Sequence, residues 1–209
     1  EVMDMEAMYQ MHIVQKLNQV LSYAFDNNVE AFFEPCLLIV DYLVYKASKL
    51  IQKYKQEKEQ LVQKTAETMY HNNEQLLFNV RVYVALSAHS TDVTIAETSA
   101  HILLLLAQQY ATCHESILVN GMAHLKRALL NTNNSVASNG DSSDSAPQAQ
   151  LQQQQLQSNN TVSLFVLKTI LLIIQANKSK YVPRLQRDEQ FMSIMSSLYT
   201  SQQTQCAEI

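Results

Sequence analysis

Residues 117–130 read Ile117-Leu-Val-Asn-Gly-Met-Ala-His-Leu-Lys-Arg-Ala-Leu-Leu130, where two short apolar helical patterns, Glu115 to Asn120 and Met122 to Leu130, meet at Gly121. Gly121 is the sole glycine outside a polar tract near residue 140. A chain of 209 residues with two glycines, three prolines and no tryptophan has little turn chemistry, so it reads as nearly all helix. In such a chain Gly121 is expected to punctuate a helix pair.

Working outward, an apolar fraction of 47% suffices for a hydrophobic core, and the length permits one domain or two small ones. A net charge of -4 with 16% charged residues creates no global field favouring nucleic acid or an anionic membrane. Cys36, Cys113 and Cys206 are odd in number and far apart, which argues for a reducing compartment over a disulfide framework. The expected location is therefore intracellular: cytoplasmic, with the nucleus open. No secretory leader is read at Glu1, and the chain is expected to be a fragment of a larger protein. The longest apolar stretch, Val162 to Ile174, is interrupted by Lys168 and falls short of the roughly 20 residues that span a bilayer.

Along the chain, Met5, Met8, Ile13, Leu17, Val20, Leu21 and Ala24 recur at helical spacing up to a stop at Asp26-Asn27-Asn28. A second helix is predicted from Glu34-Pro35 to about Lys53, buried nearly all round in its middle, with a polar extension to Gln60. His71-Asn72-Asn73 reads as a break, and a helix over Glu74 to Ala88 should follow it; alternation across Phe78 to Val84 is the strand alternative. Ser90-Thr91-Asp92 starts the next helix, with Thr94 and Glu97 at capping-box spacing, and it runs to about Gln109. Its Ile102-Leu-Leu-Leu-Leu-Ala107 segment is apolar on every side, as in a helix held between layers. Residues 131–160 are rich in Asn, Ser, Gln and Asp and are expected to form a disordered insertion in which Ser142, Ser143 and Ser145 are candidate phosphorylation sites. Helices over Val162 to Ala176, Tyr181 to Arg187 and Glu189 to Tyr199 complete the chain.

The run around Gly121 resembles the join between the first and second helices of an armadillo repeat, a unit of three helices and about 40 residues. Glu74 to Ala88 then corresponds to a second helix and Asp92 to Gln109 to a long third one. Glu115 to Asn120, Met122 to Leu130 and Val162 to Ala176 supply the next repeat. Ile102-Leu-Leu-Leu-Leu and Ile170-Leu-Leu-Ile-Ile lie 68 positions apart, and removing an insertion of roughly 27 residues restores the period. The resemblance implies an all-α, armadillo-like α-solenoid of about three to four degenerate repeats in one domain, 1–209. Residues 5–70 form degenerate N-terminal helices or a cap, 74–130 and 161–199 the repeats, and 131–160 the insertion.

Armadillo folds bind extended peptides or partner helices along a groove lined by third helices. The resemblance thus implies a non-enzymatic scaffold or adaptor that binds another protein at Thr98, His101, Leu105, Gln108, Val166, Thr169 and Ile173. The tryptophan and asparagine ladder of the nuclear-import members is missing: His101 and Leu105, then Thr169 and Ile173, stand in its place. Leucine and isoleucine offer apolar contact where asparagine would clamp a peptide backbone.

Six histidines are scattered with no zinc spacing, phosphate loops lack their glycines, and Cys113-His114 is a contiguous pair that diverges by about 100° on a helix. No catalytic residue, metal ligand, cofactor or small-molecule substrate is expected. Lys178, Lys180, Arg184 and Arg187 form a basic rim. It carries the alternative reading, a nuclear-transport or nucleic-acid-associated factor, although nucleic acid is the less favoured partner.

Overall fold

The computed structural model describes the backbone of residues 12–57, 60–89, 91–137 and 146–207, and among these every regular element is helical. Met5, Met8, Ser142, Ser143 and Ser145 lie outside the described residues, as do the side chains of 54–64 and of Cys206.

Helix α1 (Ile13–Asp26) buries Val14, Leu17, Leu21 and Ala24, a stripe at helical spacing. It stops at Asn28, whose φ of 56° is left-handed. Asn28 N–H donates to Phe25 O at 3.3 Å and Val29 N–H to Ala24 O at 2.8 Å, the bond pair that satisfies the final carbonyls of a helix ending in a left-handed residue. After a 3-10 turn (Glu30–Phe32), α2 spans Phe33–Glu57 with Pro35 in its first turn.

Helix α3 (Gln60–Glu74) passes straight through His71-Asn72-Asn73, where a break was expected. Asn72 Nδ2 donates to Thr68 O at 2.9 Å, and the buried Asn73 Nδ2 reaches Leu43 O of α2 at 3.4 Å. Amides that compete with a helix in isolation are here satisfied by its own last turn and by a neighbour. The break falls instead at a 3-10 segment, Gln75–Asn79, so α4 is short (Val80–Leu86) and Phe78 to Val84 is no strand.

Helix α5 (Val93–Gln109) is capped by Asp92, which accepts from Thr94 N–H at 2.9 Å and Ile95 N–H at 3.2 Å; the start signal lies there rather than one turn later. Ile102 to Ala107 are all buried, as their composition predicts. The chain then bends by 118° into a 3-10 turn (Ala111–Cys113), a π-helical stretch (Ser116–Asn120) and α6 (Gly121–Ala137). Helices α7 (Ala146–Ala176), α8 (Lys178–Gln186) and α9 (Glu189–Ala207) follow. The helices reach well into the tract expected to be a disordered insertion, and only 138–145 falls outside the described residues. Extending a helix already nucleated in a packed segment adds one bond per residue fixed, and the Ala and Gln residues there are good helix formers.

In space, α5 lies between α2 and α7, and α4 between α1 and α6; contacts of α1 with α2, α4 with α5 and α6 with α7 join the two rows. Helix α9 packs on α6 and α8. Among the described residues no single helix is long and apolar enough to cross a membrane.

Gly121 does not break the helix: its φ of -97° and ψ of -11° are right-handed. Its role is close approach, because a Cβ there would lie 2.6 Å from Val84 Cγ1. Val84 is buried and stiff at χ1, so it cannot swing aside. Gly121→Ala is expected to lose about 1–3 kcal/mol to overpacking against a gain of about 1 kcal/mol in helix propensity. Urea unfolding of Gly121→Ala, Val84→Ala and the double variant checks this. The double variant should be more stable than the sum of the single losses, and strict additivity would mean the two sites do not touch.

Candidate interaction surface

The row α2, α5, α7 presents one face on which residues from all three helices meet. His101 Nδ1–H donates to Asp41 Oδ1 at 2.7 Å, since the carboxylate can only accept, and the imidazole and Phe165 ring centres lie 4.9 Å apart. Asp41, His101 and Phe165 thus tie the three helices together from the outside. Leu38 and Tyr45 share the Asp41 side of α2 by their spacing of three and four residues, and Tyr42 adjoins them. All three are exposed, at 49%, 40% and 45%, as is Leu164 beside Phe165 at 48%. Lys46 and Lys49 place their ammonium groups 5.4 and 5.3 Å from the Tyr42 and Tyr45 ring centres, so the aromatic faces are flanked by cations. The expectation that the middle of α2 is buried all round is therefore corrected: one side packs on α1, α3 and α5, and the other carries its apolar groups in solvent.

The far end of the face is held by polar contacts. Gln109 Nε2 donates to Val44 O at 3.3 Å, linking α5 to α2. Tyr70 and Tyr110 stack at 4.6 Å, with Tyr110 OH donating to Tyr70 O at 2.6 Å and Tyr70 OH to Gln109 O at 3.2 Å.

The residues expected to line a partner groove divide sharply. Gln108 is exposed, and Thr98 and His101 are half-buried on the same side of α5. Leu105, Val166, Thr169 and Ile173 are buried, and Thr169 Oγ1 donates back to Phe165 O at 2.8 Å. These four pack inside the chain and offer no surface to a partner. The physical reason is register: α7 turns Leu164, Phe165 and Lys168 outward, which rotates 166, 169 and 173 onto the core. Asp41, Phe165 and the α2 aromatics were missed. A lone carboxylate in the apolar middle of α2 was the signal that this helix has a solvent side.

The basic rim also divides. Lys180 Nζ donates to Glu115 Oε2 at 2.6 Å in an exposed pair that raises the lysine pKa and lowers that of the carboxyl, the shared hydrogen bond being the main cause in both. Lys178 is exposed. Arg184 and Arg187 border a cleft of about 430 Å³ whose other walls include Leu118, Val119, Met122, Lys126, Tyr181 and Asp188. Lys126 donates to both Asp188 oxygens at 3.0 Å. Asp188 also accepts from Phe191 N–H at 2.9 Å, capping α9; that backbone bond first, then Lys126, hold its carboxyl below the ordinary range.

Cys113 and His114 are both buried and face different partners. Cys113 Sγ donates to Tyr110 O at 3.0 Å, and His114 Nε2–H donates to Ala107 O at 2.8 Å. Burial pushes the Cys113 thiol up to about 12 and raises Cys36 as well, so neither is poised as a nucleophile. Among the described residues no group of three His, Cys, Asp or Glu could hold a metal ion. A scan against protein-family models, a search of curated proteins and a search of solved structures each found no match.

Proposed function

We propose that the chain is a non-enzymatic protein-interaction module whose helices stack in an armadillo-like manner, and that its α2–α5–α7 face receives an apolar segment or helix of another protein. The observation that carries this reading is the exposed set Leu38, Tyr42, Tyr45 and Leu164 around the Asp41–His101–Phe165 row. Aromatic side chains with flanking cations provide large contact area with few rotamers to immobilise, which suits them to partner recognition. The two-row arrangement supports stacked repeats, since each inner helix touches the one before and the one after. The basic-rim alternative has less support, because Lys180 of the rim already holds Glu115.

A photo-cross-linking residue at Tyr45, with one at the exposed Lys16 of α1 as control, tests the reading in cells. Adducts specific to position 45 that disappear with Leu38→Asp, in a variant whose helical circular dichroism is unchanged, are the expected result. Equal labelling from both positions would exclude the face.

A further inference from the structure

The geometry points to a second recognition site in the cleft between α6 and α8, one that takes an acidic-and-apolar peptide segment of a protein partner through the guanidinium groups of Arg184 and Arg187. The cleft joins residues more than 60 positions apart in sequence: the half-buried Val119 and Met122, with the buried Leu118, make its apolar part, the floor, and the exposed Arg184 and Arg187 line it as well. Lys126 is neutralised within the cleft by Asp188. Neither arginine has a carboxylate within ion-pairing distance among the described residues; Glu115, whose carboxyl Arg184 helps to hold below its ordinary range, is paired with Lys180. Three cations thus face one carboxylate, and the uncompensated charge belongs to the two side chains best built for forked recognition of planar carboxylates.

The occupant follows from this combination. A free phosphate or a bare polyanion would satisfy the arginines and leave the floor in water. A wholly apolar peptide would cover the floor and desolvate two guanidinium groups without pairing them, which is unfavourable. A segment that alternates glutamate with leucine places carboxylates at the arginines and apolar side chains on the floor at once. The site is separate from the α2–α5–α7 face, so it stands or falls independently of the function proposed above.

Fluorescence anisotropy on the whole chain with a labelled peptide alternating Glu and Leu decides the matter. Binding should weaken about tenfold or more for Arg184→Gln/Arg187→Gln, as expected for loss of charge-assisted bonds, and similarly when the peptide's glutamates become glutamines. Met122→Gln should weaken it as well, and rising salt should do so progressively. Both arginines are exposed, so their variants should unfold at the wild-type temperature; if the double variant does not, Arg187→Gln alone serves. The proposal is overturned by absence of binding at millimolar peptide, by indifference to the arginine variants, or by equal binding of the glutamine peptide. It is likewise overturned if inositol hexakisphosphate or polyglutamate competes as well as the alternating peptide, which would leave a simple anion site.

Discussion

Ile173→Asp is expected to abolish the native fold, whereas Leu164→Asp, nine residues earlier on the same helix, should leave it intact. Ile173 has no exposed surface and belongs to the core shared by α7 and α5, while Leu164 is half in solvent. A carboxylate at 173 would lose its hydration with no cation nearby in the core to replace it, and the isoleucine contacts would go too. The combined loss is about 4–5 kcal/mol or more, comparable with the whole stability of many single domains. At 164 the carboxylate stays hydrated and the cost is within about 1 kcal/mol. Leu105→Asp, 7% exposed, should resemble the first case. Circular dichroism and urea titration of the three variants provide the measurement. A folded Ile173→Asp protein would mean that α7 presents the opposite side to solvent. The contrast also separates core from interface: only the Leu164 variant can report on partner binding, because only it keeps its fold.

What could be read from the chain and what could not divide along a physical line. Local signals were reliable where local chemistry decides: Asp92 caps α5, Asn28 turns α1, and the all-apolar Ile102 to Ala107 segment is enclosed between neighbours. Readings failed where a distant residue decides. The helix runs on through Asn72-Asn73 because Leu43, thirty positions away, accepts from Asn73. Gly121 exists for Val84, not for a turn, and no periodicity encodes that approach. The solvent side of α2 carries Leu38, Tyr42 and Tyr45 beside Asp41, so the apolar run hides its exposed side and only the carboxylate marks it. Of the residues expected to face a partner, Thr98, His101 and Gln108 lie at least partly in solvent. The expected positions on α7 are buried because successive helix positions differ by about 100°; Lys168, four residues after Leu164, marks the solvent side, and 166, 169 and 173 fall away from it.

Stability should fall steeply in alkali, and Cys113 should be a main reason. An unfolded cysteine ionises near its ordinary value of 9.0, whereas burial holds the folded thiol neutral up to about 12. Below pH 9 both states are protonated and the burial is harmless. Between those values the unfolded chain releases a proton that the folded chain keeps, so the unfolded state gains about 1.4 kcal/mol per pH unit. By pH 11 the loss is about 2.5 kcal/mol, and it approaches about 4 kcal/mol as pH passes the folded value. Tyr83 acts in the same direction from pH 10 upward, its fully buried hydroxyl pushed up chiefly by desolvation and carrying no hydrogen-bond partner among the described residues. Urea unfolding at pH 8, 10 and 11 should show this decline in the wild-type chain. Cys113→Ala should start lower at pH 8, through its small cavity, and decline less. Tyr83→Phe should be as stable at pH 8 or more so, by up to about 1 kcal/mol, because it removes an unpaired buried hydroxyl; that offset should stay constant up to pH 10 and widen above it. Parallel curves for wild type and Cys113→Ala would show that the thiol reaches water in the folded state, and would place the end of α5 and the bend after Tyr110 at the surface instead of in the core.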